Sequence, residues 1–350
     1  MGRGFLGLLA LMLLIAPPAA AASHLFTDDA PLHLTITGPF AKLARLAKYN
    51  TDPYPATLAL TDDAGAGQAF PIQVRARGIS RRELYCTFPP IYLLFDKEAM
   101  HGTLFHGQKK LKLVTYCMPP PEYEQRIILE YLIYKLYNLI TPESFRVRAA
   151  EVTYRENAAD HGVTRFGYLI EEASEMASRN QRDELKAASH QVSLSQLDAH
   201  AAARAAMLEF MIANLDWEFL ASVPGQNCCH NIKLLAAPDA TPQTARAVTP
   251  VPYDFDYSGF VDSPYAGPAP GIPTEKTTDR YFRGYCAMAA EVPSVAQEYL
   301  ARRADMKALI DSQPQLTPKF RDKADRFLDG FFTVISDPAS LQSQVIKHCR

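Results

Sequence analysis

Apolar and polar positions alternate over Pro31 to Thr37, Ala56 to Leu60 and Phe70 to Arg77, the two-residue period of half-buried strands. Between the last two, Asp62-Asp63-Ala64-Gly65-Ala66-Gly67 supplies the residues of a hairpin turn. Gly78-Ile79-Ser80-Arg81-Arg82 interrupts the pattern, and Ile91 to Phe95 and Leu111 to Thr115 then add two more strands. After Pro119-Pro120-Pro121 the period changes. Ile127, Ile128, Tyr131, Leu132, Leu136 and Leu139 recur at three- and four-residue intervals, which predicts a helix over Glu122 to Ile140, stopped by Pro142. Val147 to Arg155 and Arg165 to Glu171 predict two further strands around a turn at Asn157 to Gly162.

In the second half, Leu197, Ala201, Ala205, Leu208, Phe210 and Met211 mark a helix over Leu194 to Leu215 that delivers Asp216 at its end. A Pro-, Ala- and Thr-rich excursion, Ala236 to Pro250, links a strand at Asn231 to Leu235 with another at Val251 to Tyr257. Ser263 to Pro273 is a Pro/Gly-dense loop, followed by helical patterns around Val292 to Asp311, Pro318 to Ile335 and Pro338 to His348. There is no internal repeat. This order predicts an α+β chain and is that of a two-lobed kinase-like fold, although many α+β enzymes share it. A strand-rich N-terminal lobe with one long helix would span 23–180, and a mainly helical lobe carrying the acidic site would span 181–350.

Met1 to Ala22 adds a compartment. Arg3 gives a positive start, Phe5 to Ile15 an apolar core and Ala19 to Ala22 small residues for cleavage, the layout of a secretory signal. The apolar run is well short of the roughly 20 residues that a spanning helix needs. A secreted or periplasmic mature chain starting near Ser23, with no later membrane span, is the expectation. Six cysteines, all beyond the signal, suggest disulfides in an exported chain. Cys86 with Cys117 is the first pairing expected, because each flanks a strand of one sheet. Cys228 and Cys229 lie beside His230 but lack Cys-x-x-Cys spacing, which favours a structural disulfide over a metal or redox site. The net charge of −2, without a basic stripe, argues against a nucleic-acid partner.

The candidate chemistry lies in Asn-Leu-Asp216-Trp, Cys-His-Asn231-Ile-Lys and Pro-Tyr-Asp254-Phe-Asp256-Tyr. An Asp, an Asn one loop later and an Asp after it is the residue order in which phosphoryl-transfer sites place a catalytic carboxylate and two magnesium ligands. Magnesium or manganese suits these hard oxygen ligands, usually one or two carboxylates plus substrate phosphates. Asp254 and Asp256 would share one face of a strand, and Asp256 would be a second ligand or an orienting group; capping a turn is their plainer role. Lys112 is the candidate cation for nucleotide phosphates, with Glu130 on the following helix holding it as an ion pair; a solvated strand face is its alternative. Arg75, Arg77, Arg81 and Arg82 surround Gly78 and either face phosphate or make surface salt bridges, with Arg77 the one assigned to the nucleotide. His230 has no ligand-spaced histidine partner and reads as structural, and Trp217 reads as a packing residue.

Val74-Arg-Ala-Arg-Gly-Ile-Ser-Arg-Arg82 with Ile91-Tyr-Leu-Leu-Phe-Asp-Lys97 resembles the Arg-Gly-Asn-Ser-Ser and Leu-Lys-Phe-Asp-Lys segments of spore-coat CotH-type atypical kinases. Ala213-Asn-Leu-Asp216 with His230-Asn231, and Val251-Pro-Tyr-Asp254-Phe-Asp256, are similar to that family's Asn-x-Asp...Asn and Pro-Trp-Asp-Leu-Asp motifs. The resemblance covers roughly Phe70 to Phe260. It implies an atypical kinase fold, ATP with a divalent metal and phosphorylation of a protein or envelope component. Asp216 would then be the catalytic-loop Asp, with Asn231 and Asp254 the metal ligands. The chain departs from the family at Ile79, where a small polar residue is expected, and in the longer segment Trp217 to His230. A catalytically inactive binding module of the envelope is the alternative function, and a metal-dependent phosphoesterase a third.

Overall fold

The alternating stretches do form strands, and the strands close on themselves. The computed structural model describes residues 24–61, 67–119, 121–223 and 225–350; the expected signal segment and the expected turn at 62–66 lie outside them. Seven strands form a closed barrel: β1 (Leu32–Thr37), β2 (Tyr54–Thr61), β3 (Gly67–Ala76), β4 (Ile91–Phe95), β5 (Lys110–Val114), β6 (Val147–Arg155) and β7 (Val163–Ile170). They pair in the order β1-β2-β3-β4-β5-β7-β6, and β6 returns to β1 as the one parallel pair, with Leu34 opposite Val152. Leu34, Ile36, Leu58, Val74, Ile91, Leu93, Leu111, Leu113, Val152 and Leu169 are buried in one core cluster, so side chains fill the barrel. The short helix α1 (Phe40–Leu46) follows β1 and adds Phe40 and Leu43 to that cluster.

Outside the barrel, α2 (Pro121–Asn138) packs on β6 and β7. Its Ile127, Ile128, Leu132 and Leu136 belong to a second core. That core runs on through α3 (Ala173–Arg179), α4 (Ala199–Met211), α5 (Val292–Ala301), α6 (Arg303–Asp311), α7 (Pro318–Ser336) and α8 (Pro338–Gln344). A three-stranded antiparallel sheet, β10 (Thr249–Pro252), β9 (Ile232–Ala236) and β8 (Asp183–Glu184), lies beside it, with Lys233 opposite Val251.

This architecture overturns the two-lobed kinase-like expectation. A strand-rich half followed by a helix-rich half suggests two lobes. The parallel β1–β6 contact instead rolls the first half into a barrel, and the outer face of that barrel shares one continuous apolar core with the helices. Sequence order carries no direct sign of a pairing between strands so far apart.

Local signals explain several boundaries. The second long helix begins at Ala199, because the Asp198 carboxylate accepts from the Ala201 N–H at 2.8 Å and caps it. Ser193 and Gln196 form a capping box on a separate 3-10 turn at Leu194–Gln196. The strand expected over Val251 to Tyr257 stops at Pro252, shortly before Asp254 takes a left-handed φ of 65°. Disulfides join Cys86 with Cys117, as expected from the sheet, Cys228 with Cys229, and Cys286 with Cys349. No helix among the described residues is long and apolar enough to cross a membrane.

Candidate functional site

α4 ends at Met211, and the chain then leaves the helix through Ala213, at a φ of 50°, to present Asp216 from an irregular segment. The Asp216 N–H donates to Asn214 Oδ1 at 3.1 Å, a local Asx turn that fixes its backbone. Fifteen residues on, Asn231 also sits at a left-handed φ, 52°, just before β9. Its amide donates to the Asp216 carbonyl at 2.7 Å and to Asp216 Oδ2 at 2.9 Å. The other carboxylate oxygen, Oδ1, lies 2.7 Å from His230 Nε2. That bond is the main reason the His230 pKa is raised above its ordinary value, against the opposing effect of burial. The longer Trp217 to His230 segment therefore returns Asn231 to Asp216, despite its departure from the family's spacing.

Asp254 lies where β10 ends. Its N–H donates to the Tyr134 hydroxyl at 3.0 Å, while its carboxylate makes no hydrogen bond among the described residues. Burial, and then the nearby Asp256 carboxylate, push the Asp254 pKa up, opposed by Arg81 and Arg77. A non-glycine residue held at positive φ, with an unpartnered acid, is the kind of locally unfavourable feature that clusters at functional sites.

Asp256 does not repeat that environment. With the strand already ended, the shared-face expectation fails, and Asp256 Oδ2 instead accepts from Arg81 Nε at 2.7 Å and from the Tyr265 hydroxyl at 2.8 Å. Arg81 Nη2 reaches Glu130 Oε2 at 2.6 Å, so a buried guanidinium joins α2 to the acidic segment. Burial opposes the charge on Arg81, but Asp256 and Glu130 outweigh it and hold the Arg81 pKa well above normal. Burial likewise pushes Glu130 up, with Arg81 pulling against it. Glu130 was expected to hold Lys112; Arg81 takes that place. Lys112 lies over the rings of Phe145 and Tyr253, 5.9 and 5.5 Å from their centroids, with no ion-pair partner among the described residues. Burial first, then repulsion by Arg77, lowers its pKa to about 8.

These groups meet in one cleft of about 660 Å³ between the barrel and the β9–β10 edge. Arg77, Lys112, Asp216, Asn231, Asp254 and Asp256 all line it; Glu130, of the expected site residues, does not. The Arg77 Nε is buried without a hydrogen-bond partner, so among the described residues neither Arg77 nor Lys112 has an ion-pair partner in the cleft. Arg81 lines the cleft too, whereas Arg82 is engaged by the Gly78 and Ala47 carbonyls and Arg75 stacks on Tyr92, 5.1 Å from its centroid. Arg77, the arginine assigned to the nucleotide, lines the cleft, whereas the guanidinium of Arg81 is taken up by Asp256 and Glu130. Lys233 and Tyr257, the last residues of two of the quoted motifs, also line the cleft, though neither had been given a site role.

The donor set bears on a metal. No group of three or more His, Cys, Asp or Glu side chains among the described residues is arranged to hold one. With its amide nitrogen committed to Asp216, Asn231 retains Oδ1, and Asp254 retains its carboxylate. Two oxygen donors, one of them a carboxylate, are too few to close a metal site alone, and a cation here would take its remaining ligands from waters and substrate phosphates. Asp256, expected as a second ligand or an orienting group, has its Oδ2 bound by Arg81 and Tyr265.

No family model matches this chain, and no curated protein matches it in sequence.

Proposed function

We propose that the protein is an exported, metal-dependent phosphotransferase that shares its site residues, though not a two-lobed fold, with the CotH-type kinases. It would move a phosphoryl group from a nucleoside triphosphate such as ATP to a hydroxyl of a protein or envelope component. The observation that carries this reading is the single cleft that Arg77 and Lys112, without ion-pair partners among the described residues, line together with Asp216, Asn231 and Asp254.

Arg77 and Lys112 bind the donor phosphates, Arg77 with a planar fork and Lys112 as a point charge. The acceptor oxygen forms a bond to the terminal phosphorus, the bond to the diphosphate oxygen breaks, and the acceptor proton passes to Asp216. Asn231 and His230 hold the Asp216 carboxylate in one orientation for that transfer. Asn231 Oδ1 and the Asp254 carboxylate would hold magnesium or manganese, which supplies charge neutralisation on the phosphates. Glu130, Arg81 and Asp256 act as a buried brace behind them. The six paired cysteines support an oxidising compartment.

One observation favours the second reading, a binding module: both Asp216 carboxylate oxygens already have protein partners. The test incubates the disulfide-intact mature protein with ATP and Mg²⁺ or Mn²⁺ beside Asp216→Asn, and follows ADP release and phosphate incorporation. Metal-dependent transfer lost in the variant supports the phosphotransferase. Nucleotide binding without transfer supports the module, and nucleotide-independent ester hydrolysis would replace both.

A further inference from the structure

Asp216 belongs to no helix or strand, and its side chain is 40% exposed, so something outside its own element must hold it still. The two carbonyls that flank it, those of Leu215 and Trp217, both accept from one atom, Arg283 Nη1, the second at 3.1 Å. Arg283 also lies over the Trp217 ring at 5.4 Å, and Arg350 over the same ring at 5.8 Å. Arg350 then holds the next residue, donating to Glu218 Oε2 at 2.6 Å, and it holds Arg283 itself by donating from Nε to the Arg283 carbonyl at 2.9 Å.

Arg350 is fixed by its backbone. Its N–H donates to the Gly284 carbonyl and its carbonyl accepts from the Cys286 N–H, each at 3.0 Å, beside the Cys286–Cys349 disulfide. A partly exposed ion pair such as Arg350–Glu218 adds little order by itself. The covalent link, closing a sequence separation of 63, ties the Arg350 end to the strip that carries Arg283.

We infer that Arg283 and Arg350 are positioning residues for Asp216, and that the Cys286–Cys349 disulfide holds them in that role. The inference rests on Asp216 being the group that takes the acceptor proton. Activity would then depend on a disulfide outside the cleft, through the placement of one carboxylate.

Trp217 is the only tryptophan in the chain, so its emission reports on this clamp directly. The full mature chain is compared with Arg350→Gln, Arg350→Lys, Cys286→Ala/Cys349→Ala and, as a remote surface control, Arg303→Gln. The measurements are Trp217 emission, hydrogen exchange of residues 213–219, and kcat and KM for ATP with Mg²⁺. Arg350→Gln and the cysteine double variant should red-shift emission, speed exchange and lower kcat roughly 10- to 100-fold, the size expected for a small misplacement. KM for ATP should stay within about twofold. Arg350→Lys should recover much of kcat, and Arg303→Gln should match wild type. If the cysteine variant does not fold, the Arg350 pair decides. Unchanged kcat with a loosened segment, or unchanged emission and exchange in Arg350→Gln, overturns the inference. A wild-type chain that transfers no phosphate would instead sink the phosphotransferase reading, while emission and exchange still decide whether the clamp exists.

Discussion

Asn231 donates its side-chain amide to Asp216 Oδ2 at 2.9 Å, which ties the residue before β9 to the carboxylate after α4. One side chain thereby does two things. Its nitrogen orients the proposed proton acceptor, and its oxygen is, with Asp254, a proposed ligand of the cation.

Asn231→Asp keeps the shape but removes both donated bonds and places two carboxylates together. The variant should lose about 1–3 kcal/mol of stability, the cost of unmade polar partners. Urea denaturation with and without Mg²⁺ checks this, and the ion should return part of the loss. Equal stability to wild type in both conditions would mean that the Asn231–Asp216 contact does not hold the loop.

Arg81 is the cation of a buried bridge with two acids, and removing it leaves both uncompensated. Arg81→Met should cost about 3–5 kcal/mol, and Arg81→Met/Glu130→Leu should recover a part of that. Denaturation midpoints for the two variants make the comparison. A loss below about 1 kcal/mol would place the bridge among weak surface pairs.

Lys112 titrates near pH 8 in the folded chain, below an ordinary lysine, because burial disfavours its charge. Between pH 8 and the ordinary lysine range the unfolded chain therefore binds more protons, and this group's contribution makes stability rise with pH across that window. Below pH 8 its full destabilising effect is present. Lys112→Met should be more stable than wild type at neutral pH, with the difference shrinking as pH rises towards 10.5. A stability difference that does not change with pH would contradict the buried-cation assignment.

The Cys86–Cys117 disulfide joins the chain just before β4 to the chain just after β5, where the Thr87 N–H also donates to the Cys117 carbonyl at 2.9 Å. Replacing both cysteines by alanine should cost about 2–4 kcal/mol. Thermal unfolding of the variant beside wild type measures it. A change under about 0.5 kcal/mol would show that the barrel does not need this bridge.

The periodic parts of the chain were legible. The short apolar run Ile91 to Phe95 and the β-branched and aromatic stretch Val147 to Arg155 marked β4 and β6 at their observed bounds, and the three- and four-residue spacing in Glu122 to Ile140 marked α2. The short helices α1 and α3 were not, since seven residues each give few turns for a period to emerge, whereas α8, equally short, was marked by Pro338 at its start. The fold itself was misread because its deciding contact, β1 with β6, depends on tertiary closure and not on local pattern. For the site, residue type and order brought Asp216, Asn231, Asp254, Lys112 and Arg77 to one cleft. Which cation pairs with Glu130 was a question of side-chain direction, and sequence spacing does not carry that information.

The most direct test of the central claim is a thermal-shift titration of the disulfide-intact mature protein with ATP and Mg²⁺ or Mn²⁺, beside Asp254→Asn, a residue that tolerates the left-handed backbone. With only Asn231 and Asp254 as protein ligands, metal alone should shift the melting temperature little. Metal with ATP should raise it, and Asp254→Asn should lose that rise while folding normally. A rise that Asp254→Asn retains, or no rise with any nucleotide and metal, would contradict a metal-assisted phosphate site in this cleft.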